Sequence, residues 1–314
     1  MTGSARVLVT GAGGFVGRAL VARLARTNEV VAASRGTHVG SAALRQHRVM
    51  EVDGATEWDA ALAGCGTVVH LAARVHVMRD TAADPRAAFM RTNRDGTRRL
   101  AEQAAQAGVR RFVLVSTIGV CGANSMRGAP IGPDSPLAPL DPYSESKVAA
   151  EHALRKSCAA SGMEWTVVRP PMVYGPGAPG NFAAMLRVLA RRIPLPLASV
   201  GNRRSLVALD NLVDLLAVAV AHPAATGRIL TVSDGEDLST PELLERTARA
   251  MGLPGARLFP FPPPVLGAML RMFGRDRTAR RLLGHLEIDA LPTRAALGWR
   301  PVVGVDEALR RAVA

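Results

Sequence analysis

Short apolar runs recur through the first half of the chain, and the stretches between them mix apolar and polar positions at helical spacing. Runs near Val7–Thr10, Val30–Ser34, Val49–Asp53, Val68–Leu71, Phe112–Ser116 and Thr166–Arg169 read as strands, with helices starting near Phe15, Trp58, Pro85 and Pro142. Strands alternating with helices predict an α/β fold built on a doubly wound parallel sheet. After Gly175 the rhythm breaks into segments punctuated by proline and glycine, which points to a smaller carboxy-terminal lobe. The expected division is residues 1–172 for the sheet domain and 173–314 for the lobe, with a segment near 204–233 returning to the sheet. A ligand belongs in the crevice at the carboxyl ends of the strands, and a second one between the lobes.

The candidate chemistry sits at two places in this pattern. Arg6-Val7-Leu8-Val9-Thr10 runs into Gly11-Ala12-Gly13-Gly14-Phe15-Val16-Gly17 and then into an alanine- and leucine-rich helix. Strand, glycine turn and helix make a site for a dinucleotide pyrophosphate: the glycines permit the turn and close approach, and the helix N-terminus faces the charge. The spacing is G-x-x-G-x-x-G through Gly11, Gly14 and Gly17, since Val16 stands where G-x-G-x-x-G would end. The second place is Asp141-Pro142-Tyr143-Ser144-Glu145-Ser146-Lys147. Asp141 suits an N-cap and Pro142 a first helical position. Tyr143 and Lys147, four apart, then share one helix face near the positive end of its dipole. A tyrosine of ordinary pKa ~10 must fall by about three units, or ~4 kcal/mol, to exchange protons near neutrality. A cation about 4 Å away supplies roughly that at an effective dielectric of ~20. A Tyr143 pKa lowered by Lys147 is the expectation, although the same spacing also occurs on solvated helix faces.

Together these residues resemble the short-chain dehydrogenase/reductase superfamily, in the extended epimerase/dehydratase branch that modifies nucleotide sugars. The resemblance runs along nearly the whole chain. His70-Leu71-Ala72-Ala73 follows an apolar strand, Asn93 with Gly96-Thr97 matches N-x-x-G-T, and Val115-Ser116-Thr117 ends the strand that carries the catalytic hydroxyl in that branch. Arg169-Pro170-Pro171-Met172-Val173-Tyr174-Gly175-Pro176 matches R-P-x-x-x-Y-G-P; Arg204, Asp210-Asn211-Leu212 and Leu297-Gly298-Trp299-Arg300-Pro301 fit later segments.

The resemblance implies a Rossmann domain that holds its cofactor through Gly11, Gly14, Phe15, Val16 and Gly17, and through Ser34, Arg35 and Asp53. Leu71, Ala72, Ala73, Asn93, Ser116 and Pro170 complete that set with Tyr143 and Lys147, Asn93 being read as a brace for its helix rather than a water relay. Catalysis is implied for Tyr143 as general acid/base, for Lys147 as its pKa modulator and ribose ligand, and for Thr117 as the hydroxyl that orients the reacting substrate oxygen. Asn181 and Arg204 are implied to bind the nucleotide diphosphate, Arg204 through a two-pronged guanidinium contact. NAD-specific sites place an acid at the end of the second strand, whereas here Ser34 precedes Arg35, which can fork onto a 2′-phosphate. NADP(H) is therefore expected, with NAD as the alternative if Arg35 stacks on adenine.

Departures from the branch narrow the reaction. Its dehydratases carry Asp-Glu directly after the catalytic threonine, and here Ile118-Gly119 stands there, which disfavours a 4,6-dehydratase. Val120-Cys121-Gly122 replaces the usual V-Y-G. The runs His70 to Met78 and Pro194 to Asn211 look similar to bacterial enzymes of surface-polysaccharide (lipopolysaccharide) synthesis. A 4-ketoreductase of a UDP-4-keto-6-deoxy-N-acetylhexosamine is placed ahead of a UDP-sugar 4-epimerase, because Arg35 fits a consumable NADPH. A non-catalytic cofactor-sensing protein of this fold usually loses the tyrosine or lysine, and both are kept.

Composition adds partners and place. With 314 residues, 48% of them hydrophobic, the chain can bury a large core. The net charge of +13 comes from arginines spread along the chain, aromatics are only 4% and no nucleic-acid module is present, so an anionic nucleotide-sugar substrate is expected rather than nucleic acid. Phe259 to Leu283 reads as a substrate-lobe helix, with peripheral membrane contact as the alternative. The longest apolar stretch, Leu215 to Ala221, is too short for a transmembrane segment. Cys65, Cys121 and Cys158 lack disulfide or metal spacing, and no signal sequence precedes the first strand, so a cytoplasmic protein with reduced thiols and no metal is expected. A homodimer follows from the resemblance alone.

Overall fold

The computed structural model describes residues 6–36, 45–75 and 84–314. The amino-terminal part runs β1 (Arg6–Thr10), α1 (Phe15–Leu24), β2 (Val30–Ser34), β3 (Arg45–Arg48), α2 (Asp59–Leu62), β4 (Cys65–His70) and α3 (Pro85–Phe89). A π-wound segment, Met90–Asp95, joins α3 to α4 (Gly96–Gln106), and β5 (Arg111–Val115), α5 (Pro142–Ser161) and β6 (Glu164–Arg169) follow. The remainder contains β7 (Met172–Tyr174), α6 (Asn181–Ala190), β8 (Leu206–Ala208), α7 (Leu209–Ala221), β9 (Arg228–Thr231), α8 (Thr240–Ala250), α9 (Pro263–Met272), α10 (Asp276–Leu283), α11 (Leu291–Leu297) and α12 (Val305–Val313).

The main sheet has the order β3-β2-β1-β4-β5-β6-β9, with neighbours parallel throughout. Strand alternation assigns its two faces. Val7, Val9, Val30, Ala32, Val69 and Val113 pack with α1 and α7, while Leu8, Val31, Ala33, Val68, Phe112 and Leu114 pack with α4 and α5. Buried on both faces, the strands read as continuous apolar runs. A separate apolar cluster around Tyr174, Phe182, Leu243 and Leu309, in the carboxy-terminal part of the chain, includes residues of the parallel β7–β8 pair.

One expected strand is displaced. Val49–Asp53 is not a strand; the third strand is Arg45-Gln46-His47-Arg48, paired with β2 at the edge of the sheet. An edge strand needs a backbone partner on one side only, so its polar, exposed side chains give no apolar signal. Val49 is buried and its N–H still donates to the Ser34 carbonyl at 3.0 Å, after which the chain turns at Asp53. Of the run from His70 to Met78, residues 76–78 lie outside the described residues.

Candidate active site

The sheet reverses its winding between β1 and β4, which opens a crevice at their carboxyl ends. The glycine turn fills one side of it. Gly11 has φ +68°, and a Cβ there would lie 2.7 Å from the Ala72 nitrogen, so the turn abuts the backbone leaving β4 at Leu71 and Ala72. Gly14 N–H donates to the Gly11 carbonyl at 2.9 Å. A Cβ on Gly17 would stand 2.8 Å from Ala12 Cα and collide with the Gly11 carbonyl. Phe15 and Val16 begin α1 and pack on the core, and Gly13 faces Ser34. The structure thus gathers Gly11, Gly14, Gly17, Ser34, Leu71 and Ala72 around one crevice, with Ala73 next along the chain. Ser34 Oγ donates to the Gly36 carbonyl at 2.7 Å, and Arg35 is exposed just past the end of β2. Asp53 Oδ1 accepts from Ala55 N–H at 2.9 Å and from Thr56 Oγ1 at 3.2 Å, so that oxygen shapes its own turn.

The opposite wall is α5. Asp141 caps it, its Oδ1 accepting from Ser144 N–H at 2.8 Å, with Pro142 in the first turn. Tyr143 and Lys147 follow one turn apart, and the Tyr143 ring stands edge-on to Phe89 at 6.1 Å. Thr117 lies just past β5, its Oγ1 accepting from Gly119 N–H at 3.1 Å. A Cβ on Gly119 would meet Ser144 Oγ at 2.9 Å and Thr117 Oγ1 at 3.4 Å, so Gly119 lies between the Thr117 hydroxyl and the first turn of the tyrosine helix. Pro170 is buried and its carbonyl accepts from Ile118 N–H at 3.0 Å, tying the β6 exit to the same loop.

Electrostatics overturn one expectation. The Tyr143 residue is half-buried, but its phenol lies deep, and burial pushes its pKa up to about 12, with the Asp141 carboxylate adding to the rise. Burial lowers Lys147 to about 8, partly opposed by Glu151. Burial disfavours charge on both groups, so the Tyr143 pKa is raised where the sequence led us to expect it lowered.

Two expected cofactor residues spend their polar groups internally. Asn93, in the π-wound segment, accepts from Arg74 N–H at 2.8 Å and donates to the Arg74 carbonyl at 3.0 Å and Ser146 Oγ at 2.8 Å. That is the brace expected of it. Ser116 Oγ is buried and donates to Glu151 Oε1 at 2.5 Å. In the smaller lobe, Arg204 Nη1 donates to the Gly284 carbonyl at 2.8 Å, and Arg281 Nη1 reaches Asn181 Oδ1 at 3.4 Å. Burial lowers Arg204 to about 10, and the nearby Arg281 charge adds to the shift. Two guanidinium groups sharing a half-buried place oppose each other and favour an anion between them.

A family model described as the NAD dependent epimerase/dehydratase family matches residues 7–233. A UDP-glucose 4-epimerase of Vibrio cholerae is 37% identical over 309 residues, covering 97% of this chain and 93% of its own. The chain belongs to the NAD dependent epimerase/dehydratase family. A 3-diazoavenalumate denitrifying reductase of a Streptomyces species is 35% identical over 320 residues, covering 94% of this chain and 96% of its own. Among solved structures, MoeE5 in complex with UDP-glucuronic acid and NAD is 26% identical with a TM-score of 0.76, covering 98% of both chains. This is an NAD(P)-dependent enzyme of the short-chain dehydrogenase/reductase type.

Within the epimerase/dehydratase-family enzyme, three residues to which the sequence reading gave no role lie beside the expected site residues. Glu151 lies one turn beyond Lys147 and holds Arg169 in a buried two-pronged pair, at 2.7 and 3.1 Å. Its i, i+4 spacing from Lys147 was a usable signal. His70, 1% exposed at the end of β4, accepts from or donates to Thr10 Oγ1 at 2.7 Å, and burial followed by the Lys147 charge lowers it to about 3. Arg281 carried no motif. The glycine turn supplies a direct test of the crevice: Gly17→Ala forces the Gly11 carbonyl aside, and cofactor affinity should fall at least about ten-fold by fluorescence titration. Unchanged affinity would remove the turn from the cofactor site.

Proposed function

We propose that this enzyme moves a hydride between an NADP-type nicotinamide and C4 of a UDP-sugar, with Tyr143 giving or taking the proton at the C4 oxygen. The observation that supports this reading is Gly119, which lies against Ser144 in the first turn of the Tyr143–Lys147 helix while its N–H is bonded to the Thr117 hydroxyl. Thr117 orients the reacting oxygen, and the protonated Lys147, one turn along the helix from Tyr143, bonds the cofactor ribose. Arg204, Arg281 and Asn181 hold the diphosphate. The cofactor, when bound, supplies the hydride. The UDP-sugar class draws on the Vibrio cholerae relative and on MoeE5, whose structure holds UDP-glucuronic acid and NAD.

We place net reduction of a UDP-4-keto-6-deoxy-N-acetylhexosamine first. Arg35 is exposed at the end of β2, where an NAD site places an acid, and a reductase releases its NADP after each turnover. Epimerisation at C4 is the second reading, supported by the nearly full-length likeness to a 4-epimerase. Elimination of water finds no acid beside Thr117: Ile118 is apolar and buried, and Gly119 has no side chain. We place the enzyme in the cytoplasm, dimerising through α5 and α3.

The deciding experiment mixes enzyme, NADPH and a UDP-4-keto-6-deoxy-N-acetylhexosamine and follows cofactor absorbance. Stoichiometric loss of NADPH supports the reductase. Constant absorbance while a UDP-hexose interconverts with its C4 epimer supports the epimerase, and neither result overturns C4 chemistry. A pH profile tests Lys147. Its charge disappears as pH rises through about 8, so kcat/KM should fall on the alkaline side with a midpoint near there. Tyr143, raised to about 12, stays protonated across that range and adds no limb. A profile flat to about pH 9.5 would remove Lys147 from catalysis.

A further inference from the structure

The surface of the smaller lobe departs from the pattern that a peripheral helix normally obeys. Helix α9 packs inward through Leu266 and Gly267, and a Cβ on Gly267 would lie 3.2 Å from Leu283 of α10. Its outward positions should then be polar. Instead Val265, Ala268, Met269 and Met272 form an i, i+3, i+4, i+7 stripe facing solvent. Val265 is 48%, Met269 43% and Met272 76% exposed, and Phe273 just past the helix is 69% exposed. Phe259, before the helix, is 43% exposed. Val265, Met269 and Met272 share one helix face and Phe273 follows directly, so these four are an apolar patch rather than a scatter.

The charge around the patch has one sign. Residues 257–281 contain Arg257, Arg271, Arg275, Arg277, Arg280 and Arg281 against the single carboxylate of Asp276. Asp276 is already paired with Arg280 at 2.6 Å. Exposed apolar side chains flanked along the chain by guanidinium groups match an anionic bilayer, where the first enter the acyl boundary and the second meet phosphate headgroups. No helix among the described residues is long and apolar enough to cross a membrane, so the contact is peripheral.

We propose that α9, with Phe273 and the arginines around α10, seats this enzyme on an anionic lipid surface. The last turn of α10 delivers Arg281 to Asn181, and α10 follows directly on α9, so the apolar patch and the anion-favouring Arg281 belong to consecutive helices. Seated this way, the lobe works at the bilayer surface. The proposal does not depend on the reaction assigned above.

The test is co-sedimentation of the full chain with vesicles of phosphatidylcholine alone and of phosphatidylcholine with a quarter phosphatidylglycerol. Expected is binding to the anionic vesicles at least about ten-fold tighter than to neutral ones, weakened by salt. Met272→Ser/Phe273→Ser should reduce that binding about ten-fold or more while the thermal midpoint and activity on a water-soluble substrate hold, since both side chains are largely exposed. Arg271→Gln/Arg275→Gln should remove the preference for anionic lipid. Equal binding to both vesicles, or binding unchanged in the serine variant, overturns the proposal. So does a wild-type dimer that the serine variant converts to monomer without vesicles, which would make the patch a contact between two copies.

Discussion

Tyr143→Phe is expected to lower turnover by roughly 10²- to 10⁴-fold, the usual contribution of a positioned acid or base. Cofactor affinity should stay within about three-fold, because only the hydroxyl is removed. The phenyl ring keeps its edge-on packing against Phe89 at 6.1 Å, so fold and crevice are retained. The measurement is steady-state turnover beside a cofactor titration on the same preparation. Turnover within about three-fold of wild type would assign the proton transfer to another group. Burial sharpens the expectation: a phenol pushed up to about 12 is fully protonated at neutral pH, so the free enzyme is poised to donate rather than to accept.

Glu151→Gln should cost about 3–5 kcal/mol of stability. Glu151 and Arg169 are both almost fully buried, at 0% and 1% exposure. The carboxylate takes two guanidinium bonds and the Ser116 hydroxyl, and Arg169 also donates to the Pro133 carbonyl at 3.1 Å. Neutralising the glutamate leaves a guanidinium charge in the interior without its counter-ion. At roughly 2 °C per kcal/mol for a chain of this size, the thermal midpoint should drop by ~6–10 °C in a calorimetric scan. The double variant Glu151→Leu/Arg169→Met should recover at least about half of that loss, because a buried ion pair can be replaced by well-packed apolar groups at little cost. A single variant within about 1 kcal/mol of wild type would show that the pair is dispensable to the fold.

Much of the sheet was readable because burial on both faces leaves unbroken apolar runs. Val7–Thr10, Val30–Ser34 and Thr166–Arg169 fall inside β1, β2 and β6. The edge strand was misplaced for the complementary reason. Arg45-Gln46-His47-Arg48 is held by backbone bonds to β2, and no side-chain pattern records them. The start of α5 was equally legible, since Asp141 and Pro142 act within one turn. The resemblance implied a cofactor role for Ser116, and only the approach of α5 to β5 shows its hydroxyl bonded to Glu151.

The sequence by itself determined the glycine turn, the capped tyrosine helix and the parallel alternation of strands and helices. These depend on interactions within a few residues or on periodic burial, both of which leave a local trace. Tertiary structure alone decided which groups are dry and which charges meet. Lys147 lies among Glu151 and His70, Arg204 lies beside Arg281, and the Tyr143 phenol is buried deep enough to raise its pKa. Those quantities depend on distance and dielectric between segments far apart in the chain, which no local pattern encodes.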